Sequence, residues 1–144
     1  MKRFVRYVCL VLTMTLLVAI PTFAAETRSS RFFTSSIAYL DQPYVNGRAI
    51  DIVFDITATH SMTELGVNYI RVQQSTDREN WVTVKTFTKE DYINLIGKNT
   101  CSHAGYVVYN GIKGYYYRAY MELYAKDSTG TAYMPRYTGS MLLA

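Results

Sequence analysis

The sequence predicts an all-β fold, a single antiparallel β-sandwich of about seven strands of the immunoglobulin or fibronectin type III kind. Three observations favour it. Apolar and polar residues alternate with a period of two in Ala49 to Thr59 and again in Gly114 to Ala125, as in half-buried strands. Turn signals recur along the chain, and only residues 89–96 fit a short helical turn. An up-and-down barrel is the competing topology.

The first residues have the pattern of a secretory signal peptide. Met1 to Arg6 is positively charged, Val8 to Ile20 is apolar, and small residues follow Pro21. A membrane anchor needs about 20 apolar residues, which is longer than this run. We expect cleavage after Ala24, with Ala25 as the second choice. Residues 1–24 are therefore predicted to be a signal peptide, and residues 25–144 a single β-sandwich domain that is secreted to the extracellular space.

The charge balance changes once the signal peptide is removed. The chain has 15 Lys and Arg against 11 Asp and Glu, and loss of Lys2, Arg3 and Arg6 leaves 12 against 11, a net charge of +1. No basic run remains in the mature part, and such a run is the electrostatic signature of a nucleic-acid binder. We therefore predict no nucleic-acid partner, and no membrane association after signal cleavage.

Cysteine usage excludes an internal disulfide in the mature chain. Cys9 lies inside the predicted signal peptide, so only Cys101 remains. A lipoprotein would need its cysteine at the cleavage point, whereas Cys9 precedes most of the apolar run. We expect Cys101 to be a semi-buried or idle thiol, and an intermolecular disulfide is the alternative.

The first half of the mature chain predicts two strands. Phe32 to Leu40 is a short one, and Ala49 to Thr59 has the clearest alternation, with Asp51 and Asp55 on its polar face. Those two carboxylates are four residues apart, or about 13 Å along an extended strand. This separation is too long for one shared metal ion or proton, so we interpret both as solvated.

A hairpin is predicted next. His60 to Thr63 is expected to be a connection, and Glu64 to Ser75 a strand that either contains a bulge near Asn68 and Tyr69 or is covered on both faces. Trp81 to Phe87 is its partner. The intervening turn resembles the Asp-box turn of sialidase-like propellers, although its tryptophan comes one residue early and the glycine is absent. A hairpin turn in which Ser75 and Asp77 accept from loop amides explains the same residues.

The following segment combines the helical turn with a loop and a strand. Thr88 is predicted to cap the helical turn, with acidic residues after it and Gly97 at the end. Lys98 to Gly105 is predicted to be a loop, and His103 to Asn110 a strand that ends at the Asn110-Gly111 turn. The last strand, Thr131 to Met141, contains Pro135, which is typical of an edge.

Gly114 to Ala125 is predicted to be a central strand. One phase is apolar and faces the core: Tyr115, Tyr117, Ala119, Met121, Leu123 and Ala125. The other carries Tyr116, Tyr120 and Tyr124, with Arg118 and Glu122 between them. Because tyrosine has an apolar ring and a polar tip, this phase is a candidate contact surface for a sugar or a protein. The alternative is that the three rings only cover the sheet and support cross-strand neighbours.

No residue pattern indicates catalysis. His60 and His103 have no metal-ligand spacing, and neither a nucleophile elbow nor a phosphate-binding loop is present. We predict no catalytic residue, no cofactor and no metal. The favoured function is a non-enzymatic extracellular binding or interaction module whose partner is a cell-surface glycan or protein. The alternative is a small secreted hydrolase or an enzyme inhibitor that uses His60 or His103 with nearby carboxylates.

Three segments together resemble a known family. They are the strand at residues 51–56, the hairpin formed by residues 70–75 and 81–84, and residues 114–119 with the loop at 126–130. Their order is similar to that in a family of small secreted proteins from clostridia-type Gram-positive bacteria, a domain family of unknown function. The resemblance implies export and a sandwich fold, and it assigns no functional residue.

Overall fold

The computed structural model describes residues 31–45 and 47–144, which form one antiparallel sheet of seven strands. The strands are β1 (Phe33–Asp41), β2 (Ala49–Ser75), β3 (Val82–Thr88), β4 (Ile96–Asn110), β5 (Tyr116–Asp127), β6 (Gly130–Tyr137) and β7 (Met141–Leu142). The predicted all-β class is confirmed. The predicted signal peptide lies outside the described residues. Among those described, no helix has the length and apolarity needed to cross a membrane.

Strand β2 organises the sheet because four other strands pair with it. It is 27 residues long. Along one edge it pairs first with β1 and then with β5, and along the other edge first with β4 and then with β3. Strands β6 and β7 both pair with β5. We call β1, β4 and the start of β2 the first half of the sheet, and β3, β5, β6 and the end of β2 the second half.

Irregularities in β2 let the sheet curl. Its register shifts against β4 between Thr57 and Met62, and against β5 between Val67 and Tyr69. Such bulges bend a strand and increase its twist. The shift at Val67 confirms the predicted bulge near Asn68 and Tyr69. As a result the inner faces of both halves meet in one hydrophobic core.

The core contains the residues that the alternation predicted. The apolar phase of Ala49 to Thr59 is buried throughout, and so are Tyr117 and the inward residues after it in β5. The prediction that β5 is a central strand is confirmed, since β2 and β6 flank it. The hydroxyl of Tyr117 donates to Gln74 Oε1 at 2.9 Å and accepts from the Ile112 amide at 2.7 Å, so the buried phenol keeps its hydrogen bonds.

Two segments that the sequence predicts as connections are strands. His60 to Thr63 is not a connection but part of the continuous β2, and Lys98 to Gly105 is not a loop but part of β4. The two segments pair with each other, with Met62 opposite Thr100. Several of their side chains are polar and exposed, so they resemble loops in sequence, whereas backbone pairing makes them strands.

The remaining elements agree with the sequence more closely. The short helical turn is confirmed as a 3-10 turn at Ile93–Leu95, but the predicted Thr88 cap is wrong, because the turn begins after Tyr92 and has no acidic residue in its first turn. Among the described strands β6 pairs with β5 alone and contains Pro135, which confirms the predicted edge, although the predicted strand from Thr131 to Met141 is divided into β6 and β7. The hairpin of β2 and β3 is also confirmed. Cys101 is exposed rather than semi-buried, and it lies where the register of β4 on β2 shifts between Thr100 and Ser102.

Candidate interaction faces

The outer face of the second half of the sheet combines aromatic rings with cations. We call it the cation-aromatic face. Its four cations are Arg71, Arg78, Lys89 and Arg118, and its rings are Tyr69, Trp81, Tyr116, Tyr120, Tyr124, Tyr133 and Tyr137. The face spans β2, β5 and β6, with contributions from the segments on either side of β3.

Arg118 is at the centre of this face. Its guanidinium lies 4.3 Å from the ring centroid of Trp81 and 5.1 Å from that of Tyr137. Its Nε donates to Gln73 Oε1 at 2.7 Å. Two rings and an amide oxygen from three segments therefore fix one half-buried cation, and each cation-π contact contributes about 0.5–1 kcal/mol at such a site.

The other three cations of the face also lie over aromatic rings. Arg71 lies over Tyr69 at 4.7 Å, Arg78 over Tyr116 at 4.3 Å, and the Lys89 ammonium over Tyr124 at 3.8 Å. In the described part of the chain none of the four cations forms an ion pair with a carboxylate. Their positive charge is therefore not neutralised by a direct carboxylate contact.

The three tyrosines proposed from sequence share this face but differ in exposure. Tyr116 and Tyr120 are half-buried, and Tyr124 is only 5% exposed. Tyr120 packs between Tyr69 and Tyr137, with ring centroids 5.9 Å and 4.9 Å away. The outermost rings belong instead to β6, since Tyr133 and Tyr137 are about half exposed.

Two carboxylates hydrogen-bond to the less exposed tyrosines of the face. Glu122 accepts from Asn68 Nδ2 at 2.7 Å and from the Tyr69 hydroxyl at 3.4 Å, and Glu64 accepts from the Tyr124 hydroxyl at 2.8 Å. Burial, followed by Tyr120 and Glu122, raises the pKa of Tyr69 to about 12, and burial together with Glu64 raises that of Tyr124 to about 12. Both phenols therefore stay neutral hydrogen-bond donors over the whole physiological pH range.

The turn between β2 and β3 places two members of the face. Ser75 Oγ accepts from the Asp77 and Arg78 amides, and Asp77 Oδ1 accepts from the Glu79 and Asn80 amides. These bonds confirm the predicted hairpin turn. Hydrogen bonds from Asn80, more than any others, hold the pKa of Asp77 well below its usual range. Trp81 Nε1 then donates to the Arg78 carbonyl at 2.9 Å, which orients the indole under Arg118.

The outer face of the first half has the opposite character. We call it the acidic face. Its carboxylates are Asp41, Asp51 and Asp55, and its apolar members are Ile37, Tyr39, Val53, Tyr106 and Val108. Strand register places Tyr39, Val53 and Tyr106 in one row and Asp41, Asp51 and Val108 in the next. No side-chain hydrogen bond or ion pair holds these aspartates within the described residues.

The two histidines lie apart from both faces. His60 Nε2 contacts Asp127 Oδ2 at 2.9 Å, and its Nδ1 contacts Thr59 Oγ1 at 3.0 Å. Because a carboxylate only accepts, the Nε2–H of His60 donates to Asp127. In a neutral imidazole this leaves Nδ1 as an acceptor for the Thr59 hydroxyl, which also lies 3.1 Å from the Arg31 carbonyl. His103 Nε2 contacts the Asn94 carbonyl at 2.9 Å. Each histidine thus holds neighbouring backbone or a loop, and the two are not brought together by a shared contact.

Several members of these faces were missing from the sequence prediction. Arg78 and Lys89 lie in loop segments, and their position over a ring depends on how the loops fold. Tyr39 and Tyr106 become neighbours only through the register of β1 and β4 on β2. The alternation of Asp51, Val53 and Asp55 was the one signal of the acidic face, and by itself it indicated only a solvated strand.

Comparisons of the chain with protein-family models, characterised proteins and solved structures find no match. Among residues 31–45 and 47–144, no cluster of three or more His, Cys, Asp or Glu side chains could hold a metal ion. A shallow groove of about 300 Å³ adjoins the cation-aromatic face, lined by Glu64, Lys89, Glu90, Ile93, Ile96 and Lys98. Its lining mixes both charge signs, so the flat faces remain the main candidates for function.

Proposed function

We propose that this chain is a secreted, non-enzymatic interaction module that binds an acidic protein surface through its cation-aromatic face. The observation that supports it is the set of four cations, each held over a ring and none paired with a carboxylate among the described residues. Arginine, tyrosine and tryptophan are the residues enriched at the energetic centres of protein interfaces. Cations fixed in advance lose little rotamer freedom on binding, which favours affinity.

The same geometry favours a protein over a neutral glycan. Sugar recognition uses aromatic rings whose flat faces are open, whereas here Arg71, Arg78 and Lys89 lie over three of those rings. Arg118 likewise lies over Trp81. A ligand therefore meets guanidinium and ammonium groups first, and these groups match carboxylates.

Secretion and the sandwich class belong to the same proposal. Export with removal of residues 1–24 rests on the sequence pattern, and the bacterial family resemblance agrees with it. The immunoglobulin or fibronectin type III kind of sandwich is the finer part of this proposal, and it rests on the strand pattern of the sequence, because the seven strands form one curled sheet around a single core. The enzyme alternative rests on His60, whose ring nitrogens contact Asp127 Oδ2 and Thr59 Oγ1, and no further observation among the described residues supports it.

Binding of model polymers tests the proposed partner class. The probes are poly-L-glutamate as an acidic polypeptide, hyaluronan as an acidic polysaccharide and a neutral β-glucan. We expect poly-L-glutamate to bind, and Arg71→Glu to weaken that binding at least tenfold. Lys113→Glu is the matched control, because it changes net charge equally at an exposed loop position that is not one of the four cations over a ring. Hyaluronan binding without poly-L-glutamate binding, or glucan binding that Tyr120→Ala abolishes, would instead identify a glycan-binding module.

A further inference from the structure

The structure carries two surfaces of opposite net charge, since the two carboxylates of the cation-aromatic face, Glu64 and Glu122, are outnumbered by its four cations. The cation-aromatic face presents four cations, and the acidic face presents three aspartates among five apolar side chains. Both are outer faces of a sheet whose inner faces meet in one core, so they lie on different sides of the molecule. Neither can neutralise the other within one chain.

We infer that the acidic protein surface bound by the cation-aromatic face is the acidic face of a second copy of this chain. This inference rests on the proposed function and names its partner. Guanidinium groups would pair with Asp41, Asp51 and Asp55, which have no hydrogen-bond or ion-pair partner among the described residues. Charge complementarity of this kind steers association and selects the partner.

The apolar side chains of the two faces also fit one another. Ile37 is 59% exposed and Tyr106 55%, so the acidic face leaves apolar surface in water around its carboxylates. The cation-aromatic face offers the exposed rings of Tyr133 and Tyr137 at its β6 edge. Packing these groups together removes apolar surface from water, and this burial stabilises a contact that charge alone would leave weak.

The assembly would be head-to-tail. Pairing either face with itself would bring like charges together, which costs several kcal/mol at an interface. A contact between two different patches is heterologous, and it continues from copy to copy as a ring or an open filament. A twofold dimer through either face is therefore not expected.

Sedimentation velocity of the mature chain, with charge-reversed variants, tests the inference. We expect the sedimentation coefficient of the unmodified protein to rise with concentration at low salt, and the association constant to fall roughly tenfold or more at high salt. Asp51→Lys with Asp55→Lys should abolish association, and Arg71→Glu with Arg78→Glu should do the same. Circular dichroism checks that each variant is folded.

Mixing the two variants gives the decisive result. The first keeps its cation-aromatic face and the second keeps its acidic face, so an equimolar mixture should regain a complex that neither forms alone. A protein that stays monomeric at all concentrations, or a mixture of folded variants that does not associate, would overturn the inference. The proposed function would survive that failure if poly-L-glutamate still bound, and it would fail as well if it did not.

Discussion

The two outer faces of this sheet share the long strand β2, yet their charged side chains are held in different ways. On the cation-aromatic face each cation lies on a ring, and Arg118 is also hydrogen-bonded to Gln73. On the acidic face, Asp41 and Asp55 are exposed and Asp51 is half-buried, with no side-chain partner in the described residues. One face is therefore organised before any partner arrives, whereas the other depends on a partner to be neutralised. The difference predicts that substitutions on the first face change stability and binding together, and those on the second change binding alone.

The largest effect is expected where the two halves join. A Cβ at Gly66 of β2 would collide with the backbone carbonyl oxygen of Leu95, which cannot move without breaking the pairing of β2 with β4. We expect Gly66→Ala to lower the free energy of unfolding by about 3 kcal/mol. Chemical denaturation measures this change. The substitution should disturb both outer faces, because Gly66 lies where the two halves of the sheet join.

Gly139→Ala is the control for that substitution, since no heavy atom lies within 4 Å of a Cβ built there. Its effect should stay within about 0.5 kcal/mol. Equal losses for the two variants would show that the close approach at Gly66 does not constrain the joint.

The next effect separates the two faces directly. Arg118→Met removes the contacts with Trp81 and Tyr137 and the bond to Gln73, so we expect a loss of about 2 kcal/mol in the free energy of unfolding. Asp55→Asn on the acidic face should change it by less than about 0.5 kcal/mol. Thermal melts of the two variants check this contrast, and a larger loss for Asp55→Asn would reverse it.

A smaller effect should appear at alkaline pH. The pKa of Tyr124 is raised from 10.0 to about 12 by burial and by Glu64. A raised pKa means that the folded state favours the neutral phenol, so the associated stability is full below pH 10 and is lost as the pH rises to about 12.

Tyr124→Phe tests that dependence, because it removes the titrating group but keeps the ring. Denaturation at several pH values should show a shallower loss of stability for this variant than for the unmodified chain between pH 10 and 12. An unchanged slope would mean that the pKa of the Tyr124 hydroxyl is not raised in the folded state.

The smallest effect concerns the hairpin that carries Tyr133 and Tyr137. Hydrogen bonds from the Thr129 side chain, and from His60, lower the pKa of Asp127 from 3.8 to about 2. Because this pKa is lowered, the associated stability is present above pH 4 and is lost as the pH falls toward about 2. In a series of thermal melts, Asp127→Asn should lose less stability than the unmodified protein as the pH falls from 4 to about 2. An equal loss in the two proteins would contradict the lowered pKa of Asp127.

The sequence predicted the core better than the surface. Alternation in Ala49 to Thr59 and in Gly114 to Ala125 identified the buried residues correctly, because burial on one side of a strand imposes a period of two. It failed at His60 to Thr63 and at Lys98 to Gly105, where exposed polar side chains hide strands that only backbone pairing reveals.

The candidate site was predicted in part for a similar reason. Tyr116, Tyr120 and Tyr124 share a face because they share a strand, which the sequence shows. Their cations come from elsewhere, since Arg78 and Lys89 lie in loops. The position of Tyr69 beside Tyr120 depends on the register shift after Val67. Such cross-strand contacts cannot be read from a single segment.

Fluorescence of Trp81 during titration with poly-L-glutamate tests the central proposal most directly, because this residue is the chain's only tryptophan and lies under Arg118. We predict a saturable change in its emission that disappears at high salt and in Arg71→Glu, but persists in Lys113→Glu. If labelled poly-L-glutamate binds while the emission of Trp81 stays constant, the acidic ligand binds elsewhere and the cation-aromatic face is not the interaction surface.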